Sequence, residues 1–556
     1  MVSEKFAEKM KHILQLTYKQ SVGLIGIIGL IIFASFNGQS HLFDWDEINF
    51  AEAAREMIVT GNYSLVLINY EPFWEKPPLF FWLQALCMNL FGINEFSARL
   101  PNAIAGALTG ITLYSIGRKN FSNSFGWLWA MVYCSALLPI LYFKSGIIDP
   151  WFNLFIFYGT YATWKAIYNS DGKHLLWSLI AGASIGLGIM TKGPVALLVI
   201  LMVFGVFYLW KRFKVPANFS HFFGFTISLF VVGGLWFFIE YISGRGYIIE
   251  DFIEYQIRLM QTQDAGHGGP FYYHFIVLLI GCFPMSIFAL GGFTIQQDKG
   301  AQKEFQRIML LLFALVLLLF SVVNTKIIHY SSLCYFPLSF FAANFLNAQL
   351  NTNDKENTIQ KITLPLIGGL LLIVFFALPF IGNHIAVLRE ATWIKDDFAK
   401  ANFEAENTWS ALDYLLPLIF ATGLFLFFSI NGFRRYLYFM AAMLVSYFII
   451  LTAFVPKIEA YTQRAAIEFY ESKANEDCYV TPVNYKSYAH LFYTQKPNQQ
   501  NENHSNSSWL INGKTDKPVY CVLKITSSDE FAEKNTQFKL LYKKNGFAFF
   551  EKIQNK

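Results

Sequence analysis

Long apolar runs recur along most of the chain and constrain its fold more than any other feature. About thirteen of them are long enough to cross a bilayer, for which about 18 apolar residues are needed. Only 15% of the 556 residues are charged, against about a quarter in a soluble protein. The sequence therefore predicts a polytopic α-helical membrane protein, with runs beginning near Ser21, Ser97, Ser124, Asp149, His174, Pro194, Phe222, Phe271, Ile308, Ile328, Ile362, Trp409 and Leu437.

The Lys and Arg residues predict how the chain is oriented. A basic segment with Lys5, Lys9, Lys11 and Lys19 precedes the first run. We interpret that run as a signal anchor, because many further spans follow and no clear small-x-small cleavage site does. Loops on the side of the N-terminus are richer in Lys and Arg, as cytoplasmic loops are. We expect a cytoplasmic N-terminus, and an odd number of spans then places the C-terminus outside.

Several classes of protein are disfavoured by composition. The net charge of +5 is spread along the chain, so no basic patch indicates a nucleic-acid partner. The sequence has no P-loop and no Rossmann glycine pattern, which leaves nucleotide chemistry unsupported. No CxxC spacing indicates a zinc or thiol-redox centre.

We predict two domains, a membrane domain at 1–455 and a small extracytoplasmic α/β domain at 456–556. In the second, 519–525 has a β-type composition, and Asn545-Gly546 is a strong hairpin signal between 538–542 and 547–550. If this domain lies outside the cytoplasm, Cys478 and Cys521 could form a disulfide, a question that the sequence leaves open.

Three outer loops of the membrane domain, 39–96, 243–270 and 383–408, are long enough to fold, and the first is rich in acids. We expect a helix at 48–58 that lies along the membrane surface, with Phe73 and Trp74 as interface anchors. Asp44 can cap this helix, and Glu47 can complete a capping box. Asp46 is then left in the first turn, where the helix dipole favours an ionised carboxylate that can accept a proton.

A single lysine follows in the same loop. Lys76 lies between Glu75 and two prolines, which make this segment extended and stiff. A stiff segment can aim a cation at an anionic group. A lysine that snorkels to the membrane interface explains the same pattern equally well.

More polar residues are expected on the same outer face, and each has an ordinary structural explanation. Asp149-Pro150 can begin a helix, Lys192 lies in a tight turn, and Arg258 can pair with Glu254 one helical turn away. Acids and cations that converge at one face indicate an anionic substrate. The remaining candidates at this face are His267, Lys326 and Tyr330.

At these residues the chain resembles the C-type membrane glycosyltransferases of the protein mannosyltransferase and lipid A aminoarabinose transferase group. The similarity covers about residues 44–337 and is specific in combination. About thirteen spans and an outer C-terminal domain also fit the aminoarabinose branch. The motifs that match are Asp46-Glu47 with 51–57, then 75–79, 98–101, Asp149-Pro150, 191–194 and 266–273. The resemblance implies a GT-C fold with juxtamembrane helices on the outer face.

The resemblance also implies an activity. A sugar would pass, with inversion, from an undecaprenyl-phosphate or other polyprenyl-phosphate donor to lipid A or another envelope glycan. The enzyme would be a monomer among the lipids of a bacterial inner membrane, with its active site and C-terminal domain periplasmic. It would require no cofactor, although a divalent cation stays possible.

Residue roles follow from the resemblance by position. Asp46 would be the catalytic carboxylate, and Lys76 and Arg258 would bind the donor phosphate, where charge grows in the transition state. Tyr330 matches a tyrosine near that phosphate. The side chains expected to support the site are Glu47, Glu75, Asp149, Lys192, His267 and Lys326.

The chain departs from the family's pattern at four positions. Asn49 stands where Arg is frequent, Phe50 where Tyr is usual, and Ile328 where Pro is usual. Tyr255 stands where a His is common, which weakens any metal site built with Glu75. The sugar, the acceptor and the presence of a metal therefore stay open.

Two alternatives remain. The first is a polyprenyl-phosphate-mannose protein O-mannosyltransferase, in which Asp46 would take the proton of a Ser or Thr hydroxyl. The second is a lipid or sugar transporter or flippase, which would carry charges near the midplane of its spans and show internal repeats. The charges here lie at the ends of the runs, and no repeat is apparent.

Overall fold

The computed structural model describes residues 16–168, 172–216, 219–261, 268–297, 300–352, 358–499 and 501–553. Helices dominate, and a short ribbon of β1 (Leu67–Ile68) and β2 (Glu71–Pro72) interrupts them in the first long loop. The helices of the first third are α1 Tyr18–Ala34, α2 Asp46–Thr60, α3 Leu79–Phe91, α4 Glu95–Asn120, α5 Asn123–Tyr133, α6 Leu137–Phe143, α7 Asp149–Tyr168 and α8 His174–Lys192.

The middle of the chain is helical as well, with 3-10 turns at Ile328–Cys334 and Ala411–Tyr414 and a π-helical turn at Ile450–Phe454. Its helices are α9 Val195–Trp210, α10 Phe219–Gly233, α11 Leu235–Ile242, α12 Gly246–Gln261, α13 Tyr273–Gly281, α14 Met285–Gly292, α15 Gly300–Val322, α16 Tyr335–Thr352, α17 Thr358–Asn383, α18 Ile385–Glu390, α19 Asp397–Asn402, α20 Leu415–Ser429, α21 Arg434–Ile449, α22 Val455–Ala460 and α23 Arg464–Ser472.

Each of the apolar runs found in the sequence coincides with a helix or a pair of helices. By length and hydropathy, 5 of the described helices could cross a membrane, or up to 8 if each bent pair is one span. The pairs α5–α6, α10–α11 and α13–α14 bend by 77°, 48° and 105°. The polytopic helical fold is confirmed, whereas the number of thirteen spans stays a prediction, because several of these helices are short, bent or polar.

Small residues let two of the apolar helices pack closely. Gly182 and Gly186 of α8 face α10, and a Cβ on Gly182 would lie 2.1 Å from the carbonyl oxygen of Phe225. A Cβ on Gly186 would lie 2.7 Å from the backbone nitrogen of Gly233. Such close backbone approach is the usual way in which helices associate inside a bilayer. The packing fixes α8, which ends at Lys192, one of the candidate site residues.

Helix α2 is buried along almost its whole length. Ile48, Ala51 and Ala54 pack in one apolar cluster with Phe492 and Tyr493 of the C-terminal part. The predicted interface anchors also contact protein, since Phe73 packs against the cluster around Phe50 and Trp74 against that around Trp236. Helix α2 is therefore enclosed between α3 and the C-terminal part of the chain.

The C-terminal part forms a mixed sheet of four strands in the order β3–β4–β6–β5. The strands are β3 Tyr479–Val483, β4 Val519–Lys524, β5 Phe538–Lys544 and β6 Phe547–Lys552, and β3 and β4 are parallel. Three short helices accompany them, namely α24 Ala489–Thr494, α25 Ser507–Asn512 and α26 Ser528–Lys534. The predicted hairpin is confirmed, with Asn545 and Gly546 at φ 46° and 80°, as a two-residue turn between antiparallel strands requires.

Cys478 and Cys521 are both free thiols, so the disulfide that the sequence left open is not formed in this structure. Cys521 lies opposite Thr481 in the ladder, three residues beyond Cys478. The two side chains also belong to different apolar clusters, on opposite sides of the sheet. This placement separates the sulfur atoms.

We expect Gly182→Val to destabilise the protein by about 1–3 kcal/mol, because the added side chain overpacks the contact with Phe225. Gly205→Val in α9 is the matched control, since nothing lies within 4 Å of the added Cβ there. Thermal unfolding of both variants in detergent tests this. Equal melting temperatures for the two variants would contradict the packing described.

Candidate active site

The site begins at Asp46, in the first turn of α2. The side chain is 38% exposed, and its Oδ2 lies 3.9 Å from Nε2 of His329. The same imidazole nitrogen lies 3.9 Å from Oδ2 of Asp149, a buried residue at the start of α7. His329 thus stands between two carboxylates that come from widely separated parts of the sequence.

Asp149 is neutralised by a lysine from the end of the next helix. The Nζ atom of Lys192 donates a hydrogen bond of 2.7 Å to Oδ1 of Asp149. The same ammonium lies 5.3 Å from the ring centroid of Tyr330. The Tyr330 ring in turn packs against the His329 ring. Lys192 therefore lies between the Asp149 carboxylate and these two rings.

Two further cations approach one aromatic ring. The Nζ atom of Lys76 lies 4.9 Å from the ring centroid of Tyr255, and the Cζ atom of Arg258 lies 5.2 Å from it. Lys76 is also 3.9 Å from Oε2 of Glu75. Lys76 and Arg258, which are about 180 positions apart in the sequence, are therefore both brought to Tyr255.

The two groups of residues form one electrostatic unit. The charges of Asp149, Lys192, Asp46 and Lys76 all influence the pKa of His329. The charge of Lys76 also influences the pKa of Asp149. Two carboxylates, an imidazole and several cations are therefore concentrated in one region. Such an arrangement suits a reaction in which negative charge moves between two oxygen atoms.

Glu47 does not complete a capping box, contrary to the prediction. Helix α2 has Trp45 as its N-cap, without a side-chain hydrogen bond. Instead, Arg99 donates to both oxygens of Glu47, at 3.0 and 2.8 Å, and the Gly146 amide donates at 2.5 Å. Burial alone would raise the pKa of Glu47, but the charge and hydrogen bonds of Arg99 outweigh it and lower the pKa.

Asp44 also has another role than the predicted cap. Its carboxylate accepts hydrogen bonds from the Ser487 side chain and the Tyr488 backbone, so it contacts the C-terminal part of the chain. The crowding of protein atoms around it raises the pKa of Asp44 to about 6, against the opposing effect of these hydrogen bonds. The acids at the start of α2 thus serve tertiary contacts, which leaves Asp46 as the carboxylate that faces the site.

Lys326 is not brought to these charges. The Lys326 ammonium donates instead to the backbone oxygens of Phe320, Ser321 and Val323, at 2.5 to 3.0 Å, where α15 ends. A cation in that position satisfies carbonyls that have no partner within the helix. His267 lies outside the described residues.

The sequence did not single out His329. It lies directly before the candidate Tyr330, and a polar side chain at the start of an apolar run is the signal that could have found it. The partners of Glu47 were missed as well, because Arg99 lies 52 residues away.

Comparisons with known proteins agree with this description. The sequence profile of the family described as dolichyl-phosphate-mannose-protein mannosyltransferase matches residues 75–237. An undecaprenyl phosphate-alpha-4-amino-4-deoxy-L-arabinose arabinosyl transferase of Wigglesworthia glossinidia brevipalpis is 26% identical over 364 residues, which are 64% of each chain. The protein of the same name from Photorhabdus laumondii is 24% identical over 379 residues, 67% of each chain. The alignment with the first relative thus spans less than two thirds of its length.

Solved structures extend the similarity to almost the whole chain. The crystal structure of ArnT from Cupriavidus metallidurans bound to undecaprenyl phosphate covers 96% of this chain and 98% of its own, with a TM-score of 0.71 and 16% identity. The apo form of that protein gives a TM-score of 0.73. The fold defines the class, a polytopic membrane protein with the GT-C fold of that structural neighbour. Within that class the sequence is similar to the mannosyltransferases and the aminoarabinose transferases, in agreement with its motifs.

We expect Arg99→Met to destabilise the protein by about 3–5 kcal/mol, because it leaves the buried Glu47 carboxylate without a partner. Thermal unfolding in detergent measures the loss. The control is Lys544→Met, which removes a half-exposed ion pair with Glu468 and is expected to cost less than about 1 kcal/mol. The double variant Glu47→Gln with Arg99→Met should lose less than the sum of the single variants, whereas strict additivity would argue against the pairing.

Proposed function

We propose that the protein transfers a sugar from an undecaprenyl-phosphate donor, or a related polyprenyl-phosphate donor, to an acceptor such as lipid A or another envelope glycan. The observation that carries the proposal is the convergence of Asp46, His329, Asp149 and Lys192 beside the Lys76 and Arg258 pair. The printed names of the relatives and the undecaprenyl phosphate bound to the structural neighbour support this choice of donor.

The cations would stabilise the leaving group. When the acceptor oxygen bonds to the anomeric carbon, the bond from that carbon to the lipid phosphate breaks, and the phosphate departs with the electron pair. Lys76 would meet this growing charge as a point charge and Arg258 as a two-pronged donor. Both cations lie within about 5 Å of the Tyr255 ring centroid, which places them in the same part of the site.

Asp46 would act on the acceptor. If the acceptor is a hydroxyl, Asp46 takes its proton as the new bond forms. If the acceptor is a phosphate, its oxygen is already anionic and Asp46 would only orient it. Attack from the side opposite the departing phosphate gives inversion, and these steps require no cofactor.

His329 would position Asp46. At 3.9 Å it is too far for a hydrogen bond to either carboxylate, so it acts through charge and packing. Asp149, tied to Lys192, would hold the imidazole from the other side. Protonation of His329 would place a positive charge between the carboxylates of Asp46 and Asp149 and attract both of them.

A second candidate is a polyprenyl-phosphate-mannose protein O-mannosyltransferase. The mannosyltransferase profile, which matches residues 75–237, favours it. The chemistry at Asp46, Lys76 and Arg258 would be the same, and only the acceptor would differ. Both candidates place the site and the C-terminal part in the periplasm, which is supported by the excess of Lys and Arg on the N-terminal side.

Mass spectrometry of lipid A and of envelope glycoproteins, from cells with and without the gene, would identify the sugar and the acceptor. We expect one envelope species to lose a sugar when the gene is deleted and to regain it on complementation. If both fractions are unchanged, the proposed function is wrong.

Complementation with variants then tests the site. We expect Asp46→Asn to lower transfer by about 10²–10⁴-fold through loss of the base, and Lys76→Ala by about 10²–10³-fold through loss of charge stabilisation. Glu71→Gln and Lys395→Ala are matched controls, because both residues are exposed and neither makes any of the site contacts described above. Wild-type transfer by Asp46→Asn and Lys76→Ala, at equal membrane levels, would refute the assignment.

His329→Gln should lower transfer by about 10²-fold, the loss typical of a misplaced catalytic group. The readout specific to a positioning role is the pH profile of the purified enzyme. We expect the transfer rate of the wild-type enzyme to change across one pH interval in which the rate of His329→Gln stays constant. An unchanged profile shape with a lower plateau would indicate that His329 acts only through packing.

A further inference from the structure

A second cluster of ionisable side chains lies away from the active site, where the C-terminal part meets the membrane part. It consists of His41, which follows α1, Glu95 in the first turn of α4, and Glu471 in α23. One potential ligand atom from each of them lies within 4.8 Å of the other two. These atoms come from three segments that are distant in sequence.

The histidine is already oriented by a fourth side chain. Its Nδ1 atom lies 2.9 Å from Oε1 of Glu459, which is completely buried. Its Nε2 atom is then directed to Oε1 of Glu471, at 3.7 Å. A histidine that ligates a metal commonly has its other ring nitrogen fixed by a carboxylate in this way.

The spacing suits a shared ion better than a direct hydrogen bond. A separation of 3.7 Å exceeds the range of a good hydrogen bond between nitrogen and oxygen. Two ligands bound tetrahedrally at 2.0–2.2 Å lie about 3.4 Å apart. The His41–Glu471 separation is thus within a few tenths of an ångström of that value, and the half-exposed Glu471 side chain can move toward the third ligand, which lies within 4.8 Å.

The local charge also favours a cation. The single imidazole of His41 lies in the field of three carboxylates, those of Glu95, Glu459 and Glu471. Arg464 is committed to Glu459. The cluster therefore carries an excess of negative charge.

We propose that His41, Glu95 and Glu471 bind one divalent cation of the Zn²⁺ or Mn²⁺ type, with Glu459 orienting His41. Imidazole suits Zn²⁺ and carboxylate oxygens suit Mn²⁺, so the mixed donor set fits either ion. The ion has a structural role and takes no part in the transfer reaction, so the inference stands independently of the proposed function.

The ion would fasten the C-terminal part to the segment that leads into the active site. His41 precedes Asp46 by five residues, and its neighbour Leu42 already bonds that part in two places. The Leu42 amide donates to the Tyr493 hydroxyl at 2.7 Å, and Gln463 donates to the Leu42 carbonyl at 2.7 Å. A cation held by Glu471 would join α23 to the same segment.

The test uses the full-length protein in detergent, with a purification tag that contains no histidine. After chelator treatment, the protein is loaded with ZnCl₂ or MnCl₂, passed through gel filtration and analysed for bound metal. We expect His41→Ala, Glu95→Gln and Glu471→Gln each to retain one equivalent less than wild type. We expect Glu459→Gln to bind about 10–100-fold more weakly.

Glu468→Gln is the matched control, because it lies one turn earlier on α23 and pairs with Lys544 outside the cluster. It should retain as much metal as wild type. Thermal unfolding supplies a second readout, in which metal raises the melting temperature of wild type and Glu468→Gln more than that of Glu471→Gln. If His41→Ala fails to fold, the Glu471→Gln variant still tests the proposal, because Glu471 is half exposed and its substitution should preserve the fold. Equal metal content in wild type and Glu471→Gln, or no bound metal in wild type, would overturn the proposal.

Discussion

The architecture of the active site depends on the buried contact between Arg99 and Glu47. One guanidinium binds both oxygens of that carboxylate and also donates to the backbone oxygens of Asn37, Ser40 and His41. It therefore fixes the whole segment between α1 and α2 to α4. Glu47 in turn accepts from the Gly146 amide, three residues before Asp149. The two carboxylates that flank His329 are thus held by one network, although they belong to different helices.

This network separates the acids that make structural contacts from the one that stays accessible. Glu47 is buried and paired, and Asp44 is bound to the C-terminal part, whereas Asp46 stays partly exposed and faces His329. The cations are divided in the same way. Lys326 stabilises a helix end, while Lys76, Arg258 and Lys192 each lie beside a tyrosine ring of the candidate site. Residue type alone does not assign these roles, because the same group can be structural in one place and chemical in another.

The apolar runs predicted the helices, and the Asn545-Gly546 turn predicted the hairpin. Both features depend on local sequence. The motifs predicted Asp46, Lys76 and Arg258, which the structure brings to one region. Sequence could not assign the partner of Glu47, since a capping box and a buried ion pair with Arg99 look alike without distances. It also missed His329, whose importance comes only from its position between Asp46 and Asp149. Non-local contacts of this kind are set by the packing of helices that are far apart in the chain.

The enclosure of α2 by the C-terminal part has a consequence for biosynthesis. Ile48 leaves the ribosome early, whereas Phe492, which packs in the same cluster, follows about 440 residues later. At about 5–20 residues per second, this interval lasts tens of seconds. During that time the apolar face of α2 lacks its final partner, and the contacts of this helix with the C-terminal part are not yet made. The surroundings of Asp46 are therefore completed only after the segment around Phe492 has been synthesised.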